Sequence, residues 1–503
     1  MKIRAKKGSF IKFDCEAAVV CHFEDSKRMS GAAALLDKRC GGLIREIIEV
    51  GDFEGKLFQI SIIYTRGLVP ARRIFVVGLG KKKDLDLEKL RGAFSKAARK
   101  IRELNLKGFA TSLNFGKVNQ PLDRVTESVA EGVLLGLYQF TPYKTVEREK
   151  IKELEEFVIV EDNDDSFEVV KSAVKRAEII SDAVCFTRDL VSTPGNEMTP
   201  TIFADSAGEI AGRKKVKLKV LGVPEMEQLG MNALLGVARG SSEPPKFIVL
   251  EYNGGKKGDR TVVLVGKGVT FDSGGISIKP SADMDKMKTD MAGGAAVMGA
   301  IKAVSDLKIP LNVVGLIPAT ENLPGGKAYK PGDILRSLSG QTIEIKNTDA
   351  EGRLILADAL AYAGRFKPEA IIDLATLTGA CIIALGDNVI GMMGTDDKLK
   401  KRIRDAGEAT GERLWELPLW EEYHELIKSD VADFKNIGGR AGGTITAAAF
   451  LSKFVGDYPW VHLDIAGPSW LSKDKPYIPK GASGVGVRLL VQFMRNKCSH
   501  FLK

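Results

Sequence analysis

Histidine is scarce in this chain of 503 residues. There are four, His22, His424, His462 and His500, and none has the HExxH spacing of a zinc-binding helix. Histidine is a preferred ligand of catalytic zinc, so a metal site here has to be rich in oxygen. That favours Mg, Mn or a carboxylate-tolerant Zn site. Long apolar runs are missing as well: no stretch of about eighteen uncharged apolar residues exists, so no membrane span is expected. The basic start, Met1-Lys2-Ile3-Arg4-Ala5-Lys6-Lys7, is not followed by the apolar segment of a secretory signal. The six cysteines, at positions 15, 21, 40, 185, 381 and 498, show neither CxxC nor framework spacing. They read as reduced thiols, which places the chain in the cytoplasm. Two nucleotide-binding loops also fail. Gly78-Leu79-Gly80 follows a strand-like run, but Lys83 stands where a dinucleotide loop needs its third glycine; Gly326-Lys327 lacks the rest of a phosphate loop.

What is present is ordinary for a globular chain, with 44% apolar and 28% charged residues. The net charge of +9 comes largely from runs such as Lys81-Lys82-Lys83, Lys214-Lys215 and Lys400-Lys401-Arg402. Such runs are usually solvated faces. They permit contact with acidic peptides or nucleic acid, but no recognition motif accompanies them.

Length alone suggests two or three domains. In residues 1–165, strand-like segments (57–64, 73–77) alternate with a long helical pattern (87–104), which is α/β alternation. The acidic stretch Glu161-Asp162-Asn163-Asp164-Asp165 reads as an exposed boundary, followed by a linker helix over about 166–190 that Thr193-Pro194-Gly195 ends. Residues 191–503 carry strand-like segments at 216–221, 246–252, 261–265, 312–318, 370–373 and 460–464 with helical patterns between them. The expected fold is α/β, a smaller N-terminal α/β domain plus a larger C-terminal domain with a mixed sheet flanked by helices. Every chemical motif lies in the larger domain, which leaves assembly or access to the smaller one.

The densest of those motifs is Asn347-Thr348-Asp349-Ala350-Glu351-Gly352-Arg353-Leu354. In an extended backbone, side chains two apart share a face. Asp349 and Glu351 would then converge, with Arg353 close behind. Converging carboxylates repel unless protons or cations lie between them, so the segment asks for a metal and Arg353 for an anion beside it. Upstream, residues 261–265 read as a buried strand leading to Lys267, Asp272 and, beyond Ser277-Ile278-Lys279-Pro280, to Asp290 at the start of a helix over 291–304. Residues just past strand ends are where open α/β sheets build active sites. Asp272, Asp290, Asp349 and Glu351 suffice to hold two divalent cations with bridging carboxylates. A lysine joins such a site only when neutral, and burial beside a cation lowers its pKa. Taken singly, Lys267 and Lys279 would be solvated lysines, Met287 a core methionine, and His462 a core histidine on an apolar strand.

These segments together resemble the leucyl aminopeptidase family, the hexameric two-metal cytosolic aminopeptidases. The resemblance runs through residues 190–200, 265–275, 277–280, 287–291, 347–354, 373–380 and 460–467, in order, over most of the C-terminal two-thirds. Ser192 stands where the family more usually has Asn, at a position that is not a ligand. The resemblance implies one tightly held metal on Lys267, Asp272, Asp290 and Glu351, and an exchangeable one on Asp272, Asp349 and Glu351, both Mn or Zn. It implies a water or hydroxide bridging the pair that attacks the scissile carbonyl. Lys279 would polarise that carbonyl, and Arg353 would anchor a bicarbonate acting as general base. Met287, Thr376 and Gly379 match positions lining the pocket for the first side chain. The implied activity is removal of N-terminal residues, preferably leucine and other bulky apolar ones, from short peptides by a homohexamer, a dimer of trimers. Two rivals stand beside it. A carboxylate-bridged metal pair also serves a phosphoesterase, with Lys279 and Arg353 suited to phosphate. Some bacterial relatives also bind DNA.

Overall fold

Residues 17–22, Ala-Ala-Val-Val-Cys-His, are buried at every position, which is how a strand reads when both faces of its sheet are covered. This strand, Ala17–His22, lies inside a six-stranded sheet ordered Lys2–Lys7, Glu156–Glu161, Gly108–Thr111, Ala17–His22, Arg73–Gly78, Ile60–Tyr64. All neighbours are parallel except the last pair. Alternation sorts the side chains: Val19, Phe75 and Val77 pack with helices Leu87–Glu103 and Leu122–Gly136, while Ala18, Val20, Ile74 and Val76 pack with Gly31–Arg39 on the other face. The computed structural model of the chain describes residues 1–498 apart from Lys117, Lys214 and Lys257. Lys214 of the second basic run and His500 therefore lie outside the described residues. Among the described residues no helix is long and apolar enough to cross a membrane.

This sheet belongs to the first of two compact units, Met1–Asp182 with Lys473–Pro479. Residues 473–479 fold with it: Tyr477 Oη donates to Glu88 Oε2 at 2.6 Å and Arg99 pairs with Asp474 at 3.1 Å. The acidic stretch is exposed from Asp162 to Asp165 as expected, but it lies within the first unit, which runs on to Asp182. Glu161 closes strand Glu156–Glu161, and Asp164 and Asp165 form the first turn of helix Asp164–Ser192. Asn163 Oδ1 accepts the Ser166 N–H at 3.0 Å, and acidic groups at a helix N-terminus complement its dipole. The charge run is thus a helix start.

The second unit, Ala183–Ser472 with the described residues from Lys480 on, holds a nine-stranded mixed sheet. Its centre is four parallel strands in the order Trp460–Asp464, Ala370–Ala375, Thr261–Gly266, Asn312–Asn322. Ile390–Gly394 and Leu414–Glu416 extend one side; Lys246–Asn253 and Val216–Leu221 extend the other, antiparallel. Strand Asn312–Asn322 is long enough to pair twice. Leu316 is opposite Val265 of one neighbour, and Ala319 is opposite Gly268 of the next, Gly268–Asp272. Helix Ala292–Asp306, built largely from Ala, Gly and Val, lies against this sheet. Its close approach needs Gly293, where a Cβ would sit 2.0 Å from Leu374 O. The strand ahead of Asp349, Thr342–Glu344, is not part of the large sheet. It pairs with Ile334–Arg336 and Phe434–Lys435 in a small sheet of its own, so strand-end geometry places Lys267 and Asp272 but not Asp349 or Glu351.

Candidate metal centre

Lys267 occupies the step between strands Thr261–Gly266 and Gly268–Asp272. Its N–H donates to Leu374 O at 3.0 Å, and its carbonyl accepts the Gly294 N–H at 2.8 Å. With the backbone held on both sides, the side chain runs inward. Nζ lies 2.7 Å from both Asp290 Oδ2 and Glu351 Oε1 and donates to Thr376 O at 3.1 Å. Asp290 sits between the short 3-10 helix Met284–Thr289 and helix Ala292–Asp306, where the Thr376 hydroxyl donates to its Oδ1 at 2.8 Å. Glu351 leads into helix Gly352–Ala363. Gly352 lets that helix start against Lys267, because a Cβ there would lie 2.5 Å from Lys267 Cε.

A second lysine makes a parallel arrangement. Lys279 Nζ is 2.8 Å from Asp272 Oδ2 and 2.5 Å from Asp349 Oδ1. Asp349 and Glu351 thus serve different lysines, and the extended backbone expected for residues 347–353 is not formed. Asn347 Oδ1 accepts the Asp349 N–H at 2.8 Å, and Glu351 has helical angles, φ −76° and ψ −36°. The two carboxylates reach neighbouring points through a turn, since an asparagine that bonds its own backbone two residues on favours a turn over a strand. Arg353 is buried inside the helix start and donates through Nη1 to Asn436 O at 2.8 Å.

Four carboxylates, Asp272, Asp290, Asp349 and Glu351, thus surround two ammonium groups. Burial pushes the carboxyls of Asp272 and Asp290 up, and the neighbouring Glu351 adds to it. Asp349 is raised by burial and by Asp272. Burial opposes the charge on Lys267, but Asp290, Glu351 and Asp272 outweigh it and hold the ammonium above its ordinary range. Lys279 is raised in the same way, Asp272 and Glu351 outweighing its burial. The Arg353 guanidinium is lowered by burial to about 10, with Glu351 and Asp464 resisting. A divalent ion among these carboxylates would keep them ionised and reverse the bias on Lys267.

The donor set fits such an ion. Asp272, Asp290 and Glu351 each offer an oxygen within 4.8 Å of the others, the one such group of three found among the described residues. Glu351 Oε2 is buried without a hydrogen-bond donor. Asp290 Oδ2 and Asp349 Oδ1 are buried, each with a lysine ammonium as its counter-charge, at 2.7 and 2.5 Å. Arg353 Nε is a buried donor with no acceptor, as a site for a small anion would require. All seven of these side chains line one cavity of about 460 Å³, together with Met287, Thr376 and Gly379.

Other residues hold this constellation together without any motif to announce them. Asn436, fully buried, accepts the Lys346 N–H through Oδ1 at 2.8 Å and donates through Nδ2 to Asn347 O at 2.6 Å, so it clamps the turn that carries Asp349. Asn322 donates to Asp272 Oδ1 at 2.8 Å, and the Tyr329 hydroxyl donates to Thr348 O at 2.8 Å. A single asparagine in a loop carries no local sequence signal; only its position in space shows what it does. His462, set aside as a core histidine, is fully buried with Nδ1 2.6 Å from Asp373 Oδ1 and does not line the cavity.

Comparison with known proteins gives a consistent result. Residues 185–491 match the model described as "Cytosol aminopeptidase family, catalytic domain", and residues 19–147 match "Cytosol aminopeptidase family, N-terminal domain". A "Probable cytosol aminopeptidase" of Geobacter sp. (strain M21) is 50% identical over 498 residues, 99% of this chain and 100% of the relative. One of the same description from Geotalea uraniireducens (strain Rf4) is 54% identical over 92% of each chain. Among solved structures, a tomato leucine aminopeptidase variant superposes with a TM-score of 0.88 at 33% identity, covering 99% of this chain and 96% of its own. The bottromycin maturation enzyme BotP in complex with Mn gives 0.85 at 34% identity, covering 96% and 99%.

Proposed function

We propose a detailed activity from one premise: the chain belongs to the cytosol aminopeptidase family, and is a metal-dependent aminopeptidase, a hydrolase. It releases N-terminal residues, preferably leucine and other bulky apolar ones, from short peptides. The observation that carries this reading is the convergence of four carboxylates, two lysines and a buried arginine on the cavity that Met287, Thr376 and Gly379 also line. Lys267, Asp272, Asp290 and Glu351 would hold one divalent ion tightly, and Asp272, Asp349 and Glu351 a second, exchangeable one. Bound there, the ions would supply Lewis acidity and lower the pKa of water toward neutrality.

The chain's own groups do the rest. Thr376 binds both Asp290 and Lys267, so the wall that meets the first side chain is tied to the tighter ligand set. Lys279 shares Asp272 and Asp349 with the looser ligand set. Its ammonium is released toward the cavity once those carboxylates have another counter-charge. There it places fixed positive charge where negative charge develops on the scissile carbonyl oxygen. Arg353 holds a bicarbonate through its unpaired Nε, which supplies a general base beside the attacked carbon. A free N-terminal amine is a metal ligand and an internal amide nitrogen is a poor one, hence the exopeptidase selectivity. The active form is a homohexamer, a dimer of trimers, that admits short peptides.

One assay separates this reading from its rivals: hydrolysis of a leucine anilide with and without added Mn, beside a phosphate ester and a DNA mobility shift. Chelation is expected to abolish anilide hydrolysis, and Mn or Zn to restore it. Full activity after metal removal verified by elemental analysis would overturn the metal mechanism; phosphate ester turnover in place of anilide turnover would make the chain a phosphoesterase.

A further inference from the structure

The long strand Asn312–Asn322 ends on a fully buried amide. Asn322 Nδ2 donates to Asp272 Oδ1 at 2.8 Å and to Thr348 O at 3.0 Å. Asp272 is its direct partner on the neighbouring strand, and Thr348 immediately precedes Asp349. One side chain therefore joins the two chain segments that bring Asp272 and the Asp349–Glu351 turn to the cavity. Asp272 Oδ1 also accepts the Gly274 N–H at 2.9 Å. With two donors on that oxygen, the other, Oδ2, is the one that faces the cavity, 2.8 Å from Lys279 Nζ.

The amide can face only one way. Turned over, its carbonyl oxygen would meet Asp272 Oδ1 and Thr348 O, acceptors both. In the orientation that donates, Asn322 Oδ1 is left buried without a donor. A buried acceptor is left unpaired so that both N–H groups can point at the ligand-bearing segments. The backbone of Asn322 does separate work: its carbonyl accepts the Ser273 N–H at 3.0 Å and the Ser273 hydroxyl at 2.8 Å, and these bonds persist whatever side chain stands there.

We infer that Asn322 is a positioning residue for metal binding, selecting which oxygen of Asp272 is presented and holding the Asp349 turn at the matching distance. This rests on the reading of Asp272 as a metal ligand. A group that orients a ligand in this way contributes about 10- to 100-fold in metal affinity. Asn322→Asp would keep the shape but lose both donors and add a fifth carboxylate to the four already there; Asn322→Ala would lose the donors and the shape.

The test is Mn affinity, measured by calorimetry on metal-stripped full-length protein, with the thermal midpoint of the metal-free form read in parallel. Asn322→Asp and Asn322→Ala are expected to bind Mn about 10- to 100-fold more weakly than wild type. Tyr252→Phe removes a buried hydroxyl that donates to Ile309 O at 2.9 Å, beside Val313 at the other end of the same strand, touches none of the ligand-bearing segments, and is expected to bind Mn close to wild type. A merely structural role would lower the metal-free midpoints of all three alike and leave the affinity of the folded fraction unchanged, and that result overturns the inference. Should Asn322→Ala fail to fold, Asn322→Asp decides alone. Asp272→Asn separates the two levels. If it binds Mn as wild type does, the ligand reading itself fails; if it loses Mn while folded Asn322→Asp does not, only the role of Asn322 falls.

Discussion

Gly352→Ala adds a single methyl group, and its consequences can be worked through. The new Cβ would lie 2.5 Å from Lys267 Cε, 2.7 Å from Nζ and 2.9 Å from Cδ. Ordinary carbon contacts are about 3.5–4.0 Å, so the end of Lys267 has to withdraw by roughly 1 Å. It has nowhere easy to go. The side chain is 3% exposed, with Asp290 and Glu351 each at 2.7 Å and Thr376 O at 3.1 Å. Gly352 has no positive φ, so the alanine is not strained by its own backbone. Alanine in place of glycine favours a helix by about 0.5–1 kcal/mol, while overpacking costs about 1–3 kcal/mol. The terms partly cancel, and the net loss of stability is expected at about 2.5 kcal/mol or less. The functional loss is larger relative to its cause: a misplacement of about 1 Å in a positioned group costs about 100-fold in rate, or about 2.7 kcal/mol. The assay is anilide turnover at saturating Mn, with metal content by elemental analysis and the thermal midpoint on the same sample. A folded Gly352→Ala protein with wild-type turnover and wild-type metal content would refute the placement of Lys267 in the tight ligand set.

Four further outcomes are expected. Asp290→Ala and Glu351→Ala should each remove most of the activity and lower metal content while the circular dichroism spectrum stays near wild type; near-normal turnover with metal bound would refute the ligand assignment. Lys279→Ala should lose about 100- to 1000-fold in turnover yet keep its response to added bicarbonate. Arg353→Ala should lose that response and retain some activity through water or buffer bases, and a normal response from it in degassed buffer would refute this division. Light scattering should show a hexamer, and a stable, active monomer would exclude that assembly.

The convergence of the site residues was legible in the sequence because they cluster in short segments whose types make sense only together. Lys267 follows the strand expected at 261–265 and Asp290 leads into the helix expected over 291–304; Asp272 ends a further strand and Glu351 stands at a further helix start. The local geometry was less accessible. The extended backbone expected around Asp349 gives way to a turn that Asn347 and Asn436 hold, and Asn436 lies far along the chain, where no local pattern ties it to that turn. Strands Ile390–Gly394 and Leu414–Glu416 went unread, one interrupted by glycine and the other three residues long. The acidic run at 161–165 is exposed, but composition cannot distinguish a domain boundary from the acidic first turn of a helix inside one unit. The attachment of residues 473–479 to the first unit depends on Tyr477 and Asp474 finding Glu88 and Arg99, pairings that sequence distance conceals.

The double pairing of strand Asn312–Asn322 bears on how the molecule comes into being. Parallel neighbours cannot be joined by a tight turn; each is reached through a crossover. The segments bearing Lys267 and Asp272, Asp290, Asp349 and Glu351, and Thr376 are brought together only when several such crossovers have closed around this strand. Contacts of such long sequence separation form slowly. A nascent or half-folded chain therefore holds nothing like the finished site. A cation with no affinity for that chain draws the equilibrium toward the native state by mass action, by about 2.7 kcal/mol when its concentration is a hundredfold above Kd. Metal binding is then expected to stabilise only those chains whose topology has closed around this strand.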